Sequence, residues 1–154
     1  MANNVLIAEQ ALANFTITLA SLASGSAEQS TMITNSSPSY PAALVMLIIE
    51  SGTAPTAGQV YEVYLLRADA AGTYRTDGAG ASDAAISIAN AQLLGTITVT
   101  NNSNTKFYGD FDTAILGPLG PSWGIAIKNQ SGQSLNSTEG NHTKEYIYYN
   151  PQVQ

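Results

Sequence analysis

The carboxylates of Asp110 and Asp112 are two residues apart, and on an extended chain that spacing puts both on one face, about 7 Å from each other. Such a pair could touch a cation or divide acid and base work between them. Asp77 and Asp83 add further acidic oxygens. None of these matches an EF-hand loop. Glycosidase chemistry needs a groove with aromatics as well as two placed carboxylates, and paired acids near strand ends are ordinarily solvated. His142 is the single histidine and cysteine is absent, so the usual nitrogen and sulfur metal sites are out of reach. It lies in the polar run Gly140-Asn141-His142-Thr143 and is expected on the surface. A Ser-His-Asp triad could recruit it, yet no Gly-x-Ser-x-Gly elbow precedes a helix. Gly78-Ala79-Gly80-Ala81 lacks the Lys-Ser/Thr that completes a phosphate loop. The expectation is a chain that is not an enzyme and has no cofactor and no metal.

The tyrosines carry a different chemistry. Tyr61, Tyr64, Tyr146, Tyr148 and Tyr149 are amphipathic enough for an interface or a sugar-binding face, although packing is the commoner role of such residues. The elements that hold them read as strands. Trp123, Ile125 and Ile127 alternate with Gly124, Ala126 and Lys128, so the only tryptophan shares a face with two isoleucines and should anchor a sheet's inner wall. Gly117-Pro118-Leu119-Gly120-Pro121 bends the chain before it. Ala43 to Glu50 is the most hydrophobic part of the chain, and its unbroken Leu44-Val45-Met46-Leu47-Ile48-Ile49 predicts a strand covered on both faces or the centre of a sandwich, preferred over a buried helix for its length and flanking prolines. Between residues 60 and 67 the odd positions Tyr61, Val63 and Leu65 form the more apolar face until Arg67.

Further strands are expected at Phe15 to Leu19, Gln29 to Thr34, Ala85 to Ala89, Leu93 to Thr100, Thr105 to Phe111 and Lys144 to Asn150. Ala, Leu, Glu and Gln between Leu6 and Ala13 predict a turn or two of helix. Ala68 to Ala85 is a long loop interrupted by Tyr74 and Arg75, expected to be a flap or an intersubunit contact. The pattern predicts an all-β, two-sheet antiparallel β-sandwich, a jelly roll of about eight strands. Its parts are an N-terminal arm at 1–13, a sandwich domain at 14–150 and an extended C-terminal tail at 151–154.

With 154 residues the chain can bury a single core. Only 10% of its residues are charged, against roughly 25% in ordinary domains. Such a surface suits partial coverage by other protein, because charge is depleted at interface cores. The net charge of −6 and five scattered basic residues argue against a nucleic-acid partner, since phosphate binding needs clustered Lys and Arg. The first ten residues lack a basic n-region and the longest apolar run is far below a membrane span, so neither a signal peptide nor a membrane partner is expected.

Two stretches carry a family resemblance. Phe15-Thr16-Ile17-Thr18-Leu19-Ala20-Ser21-Leu22-Ala23, followed by the apolar strand and a Tyr-rich strand leading into an Asp/Gly/Ala loop, resembles small tailed-phage structural proteins. Leu119-Gly120-Pro121-Ser122-Trp123-Gly124-Ile125-Ala126-Ile127-Lys128-Asn129 before a Ser/Gly turn is similar to a segment of capsid cement (decoration) proteins. The resemblance implies a β-sandwich on the outer surface of the virion's capsid, made in the host cytoplasm, often a homotrimer, whose partners are the major capsid protein and itself. The interface residues expected on this reading are Val5, Leu6 and Ile7 of the arm, Tyr74 and Arg75 of the loop, and Tyr146, Tyr148 and Tyr149 of the last strand. The other reading is a tail or spike module with a lectin-like sandwich that recognises a host glycan.

Overall fold

A computed structural model describes residues 5–153. The strands in chain order are β1 (Val5–Glu9), β2 (Ala13–Asn14), β3 (Ala27–Gln29), β4 (Ile33–Thr34), β5 (Ala42–Glu50), β6 (Val60–Ala68), β7 (Ala84–Ala85), β8 (Gln92–Thr98), β9 (Lys106–Asp112), β10 (Ser122–Asn129) and β11 (Thr143–Val153). Short 3₁₀ turns occupy Thr76–Gly78, Thr113–Leu116 and Glu139–Asn141, and no α-helix occurs among the described residues. Every strand pair is antiparallel. The front sheet has the order β1-β11-β5-β9, with β2 also on β11, and the back sheet has the order β7-β3-β10-β6-β8, with β4 also on β10. The two sheets pack face to face as the β-sandwich that the alternating residues predict.

Period-two alternation builds the core. Ala43, Val45, Leu47 and Ile49 of β5 face Tyr61, Val63 and Leu65 of β6 and Trp123, Ile125 and Ile127 of β10, and all ten are buried. Trp123 sits edge-on to Phe15, Tyr146 and Tyr148, with ring centroids 5.4, 5.3 and 5.8 Å away. Its indole Nε1–H donates to the Tyr148 hydroxyl at 2.6 Å, so the one polar atom of the buried ring is satisfied.

The structure changes several expectations. The predicted helix between Leu6 and Ala13 is not formed: residues 5–9 are β1, laid along residues 149–153 of β11. Ladder hydrogen bonds to a neighbouring strand satisfy this backbone, which outweighs a weak helix propensity. The tail residues 151–153 belong to β11. Phe15 to Leu19 keeps the predicted alternation, with Phe15, Ile17 and Leu19 buried, but it is not a ladder strand. The Phe15 N–H donates to the Lys144 carbonyl of the front sheet and the Thr16 carbonyl accepts from Thr31, next to the back sheet, so the segment bridges the two layers. The expected strand Gln29 to Thr34 is split into β3 and β4, and that at Ala85 to Ala89 shrinks to β7.

His142 is buried, contrary to its expected place on the surface. Its Nδ1 accepts from the Glu50 N–H at 3.2 Å, so the proton sits on Nε2, which lies 3.1 Å from the Asn136 carbonyl. Glu50 Oε1 in turn accepts from Asn136 and Asn141 at 2.8 and 3.0 Å. A polar run in the sequence thus becomes a closed hydrogen-bond network inside the fold.

Candidate functional site

Each sheet has an inner face in the core and an outer face, and the two outer faces are treated differently. On the back sheet, the outward residues of β6 and β10 include Leu66 and Ala126, both fully buried. The segment 69–91 folds across them, contributing Ala79, Ile86, Ile88 and Ala91, while Met32 and Tyr64 close the margin. Polar groups pin this cover. Asp77 accepts backbone N–H groups from Ala89, Asn90 and Ala91 at 3.1, 2.6 and 2.8 Å, which holds its carboxyl below the usual range even though its partial desolvation acts the other way. The Gln29 side chain bonds the Gly80 N–H and the Ser82 carbonyl at 3.0 and 2.6 Å. The expected flap therefore closes on its own sheet.

Among the described residues, the front sheet's outer face has no such cover. Ladder register defines its rows, because residues directly opposite in an antiparallel pair share a face. Tyr108, Ile48 and Thr143 form one row, Asp110, Met46 and Glu145 the next, and Asp112, Leu44 and Ile147 the third. Tyr149 lies between Ala42 and Glu9 in the following row, and beyond β5 Ile7, in register with Pro151, continues the face. Leu44, Met46 and Ile48 are half-buried by their neighbours within the sheet, and Tyr108 is 69% exposed. The apolar run of β5 is therefore fully buried on its inner face and only partly shielded on its outer one, where the sequence predicted cover on both sides or a central position.

Carboxylates border this stripe. Asp110 and Asp112 lie along β9, Glu145 lies across Met46, and the exposed Glu9 follows on β1. The single lysine of the face, Lys106, sits opposite Glu50 at the far end. The ion pairs found among the described residues, Glu62 with Lys128 and Glu139 with Lys144, lie elsewhere. Asp112 is partly engaged: its Oδ1 accepts from the Ala114 N–H at 2.9 Å and from the Tyr149 hydroxyl at 2.5 Å. Burial first, and then that carboxylate, push the Tyr149 phenol up to about 12. Beside Tyr149 lies a cavity of about 250 Å³ walled by Pro41, Ala42, Ala114, Gly117 and Pro118.

The predicted interface residues scatter. Val5, Leu6 and Ile7 lie on β1, where Ile7 is 66% exposed, and Tyr149 lies on the outer face beside them. Tyr146 is buried in the aromatic core and Tyr148 packs inward against Trp123, so neither forms an exposed platform. Tyr74 is 78% exposed on the cover, whereas Arg75 is folded back, with Ala68 as its bridge partner. Leu44, Met46, Ile48 and Ile147 were missed. The available signal was the alternation of Tyr108 with Asp110 and Asp112, which marks the outer side of β9 and, through register, that of β5.

Among the described residues, neither Ser122 nor His142 forms a Ser-His pair. Gly120-Pro121-Ser122-Trp123-Gly124 has the spelling of a nucleophile elbow, but Ser122 opens β10 opposite Ala68, and both ring nitrogens of His142 face backbone groups. Among the described residues no three of His, Cys, Asp and Glu group in a way that could hold a metal ion. Comparison of the chain with protein families, curated proteins and solved structures finds no match.

Proposed function

We propose that this chain is a capsid decoration protein, a structural subunit that binds the outer surface of a tailed-phage head and reinforces it. One observation carries the reading: the chain folds its own segment over the centre of the back sheet's outer face, leaving Leu93 at its edge exposed, while the front sheet's outer face keeps an apolar stripe partly exposed among the described residues. A sandwich that covers one face and leaves the other open is built to lie against another protein. The strand order supports the reading. Early and late strands interleave as β1/β2-β11-β5-β9 and β3-β10-β6-β8, an order that favours the jelly-roll reading, an architecture that recurs in viral capsid and lectin domains. The resemblance of the Trp123 segment to cement proteins supplies the capsid as partner. In this reading the chain works as a homotrimer, contacts no genome and carries out no turnover. Many weak copies acting together give avidity and resist internal pressure.

Copy number in purified virions, measured by quantitative mass spectrometry, tests it, with immunogold labelling to locate the protein. Hundreds of copies on the head are expected. A dozen copies, or label on the tail, defeats the proposal. Sedimentation of the purified chain checks the trimer.

A further inference from the structure

The open face also carries a description of what it fits. We infer that it receives a protein surface on which an apolar side chain, seated in the cavity between Pro41 and Tyr149, is flanked by arginine or lysine. This rests on the reading above and adds the docking face and the partner's chemistry to it.

Two features of the face fix the partner's character. The centre is aliphatic, with Leu44, Met46 and Ile48 in line along β5, and the cavity at its end is walled by proline, alanine, glycine and one tyrosine ring. Such a concavity accepts an apolar anchor of the kind that dominates interface energetics. The border is acidic, with Asp110 and Glu145 on either side of Met46 in one row and Glu9 beyond Tyr149. A partner that buries the stripe must bring cations to these carboxylates or leave them desolvated without a counter-charge.

The same charges select against a second copy of this chain. Two such faces packed about a twofold axis would set the carboxylates of one against those of the other, and a twofold interface has to be self-complementary. Lys106, opposite Glu50, is the only lysine on the face and cannot neutralise both borders. The β1/β11 ribbon points the same way. Residues 150–153 pair with β1 but lie beyond the end of β5, and an isolated two-stranded ribbon is only marginally stable in water. Pro151 within it lacks the N–H that a further strand would need. The ribbon extends the apolar row through Ile7, so side-chain docking onto its face is favoured over strand addition along its length.

Binding of the purified chain to heads prepared without it provides the test. Variants are Met46→Asp, Ala114→Phe to fill the cavity, and the near-isosteric pair Asp110→Asn with Glu145→Gln; Glu62→Gln on the back sheet is the control. Each is first matched to wild type by circular dichroism and melting. Met46→Asp and Ala114→Phe should each weaken binding about 30-fold, the scale of losing an interface hot spot. The paired charge variant should lose about tenfold at low salt, and its affinity should fall less steeply than that of wild type as salt is raised, Asp112 and Glu9 still contributing. Folded variants that bind like wild type, with wild type itself bound, overturn this face and leave the decoration reading standing. Wild type that fails to bind heads overturns both. Self-association in solution that Met46→Asp abolishes makes the occupant a second copy and overturns the proposed partner.

Discussion

Leu66 and Leu44 occupy equivalent places, each facing outward from a central strand of its sheet, yet they meet different surroundings. Leu66 is fully buried beneath segment 69–91, whereas Leu44 is only partly buried, between Asp112 and Ile147. An amphipathic strand exposes a polar face to water. Both of these strands instead place apolar residues outside, and among the described residues the chain covers only one of them. The difference teaches that outward apolar residues on a sheet are shielded only where another segment of the chain lies over them.

The comparison can be tested first at its largest effect. Leu66→Ala should cost about 2–4 kcal/mol in urea unfolding, as for a large-to-small change in a packed core, while Leu44→Ala should cost less, about 1–2 kcal/mol, because part of its side chain stays in contact with water. Equal losses at the two positions would erase the distinction between sealed and open faces. Next comes the pin of the cover. Asp77→Ala removes the acceptor of three backbone donors and should cost about 1–2 kcal/mol, with faster hydrogen exchange confined to residues 69–91. Exchange that rises equally in β5 and β11 would show that the cover is not a separate unit.

Two titrations sharpen the picture with opposite signs. Burial lowers the pKa of His142 from 6.5, so the folded state prefers the neutral ring. That contribution is complete above the unfolded value and is lost as pH falls through and below 6.5, because protonating Nδ1 sets a donor against the Glu50 N–H. The melting temperature should drop over that range, and His142→Gln should flatten the drop. Glu28 on β3 behaves in reverse and with a smaller effect. Burial, followed by repulsion from Asp83 at the edge of the cover, raises it from 4.5 to about 7. Its protonated form suits the fold, so this contribution is present below 4.5 and is lost as pH rises toward and past 7. Limited proteolysis of the cover at pH 5 and pH 8, with Glu28→Gln as reference, checks it: wild type should be cut faster at pH 8 and the variant should lose most of the difference.

Much of the core was legible in the sequence. The shared face of Trp123, Ile125 and Ile127, the odd-numbered face of β6 and the spacing of turns each carry a period of two that needs no knowledge of partners. The same reasoning failed where the deciding contact was distant. The Leu6 to Ala13 stretch favours helix locally and becomes a strand because β11 lies beside it. His142 looks polar and exposed until Glu50, 92 positions away, donates to it. Fold class was thus determined by the sequence, since alternation is a local property of an extended backbone. Which outer face is sealed was decided only by tertiary structure. Nothing in the composition of segment 69–91 says that it folds over β6 and β10 rather than β5, and that choice leaves the row of Asp110, Met46 and Glu145 open to a partner.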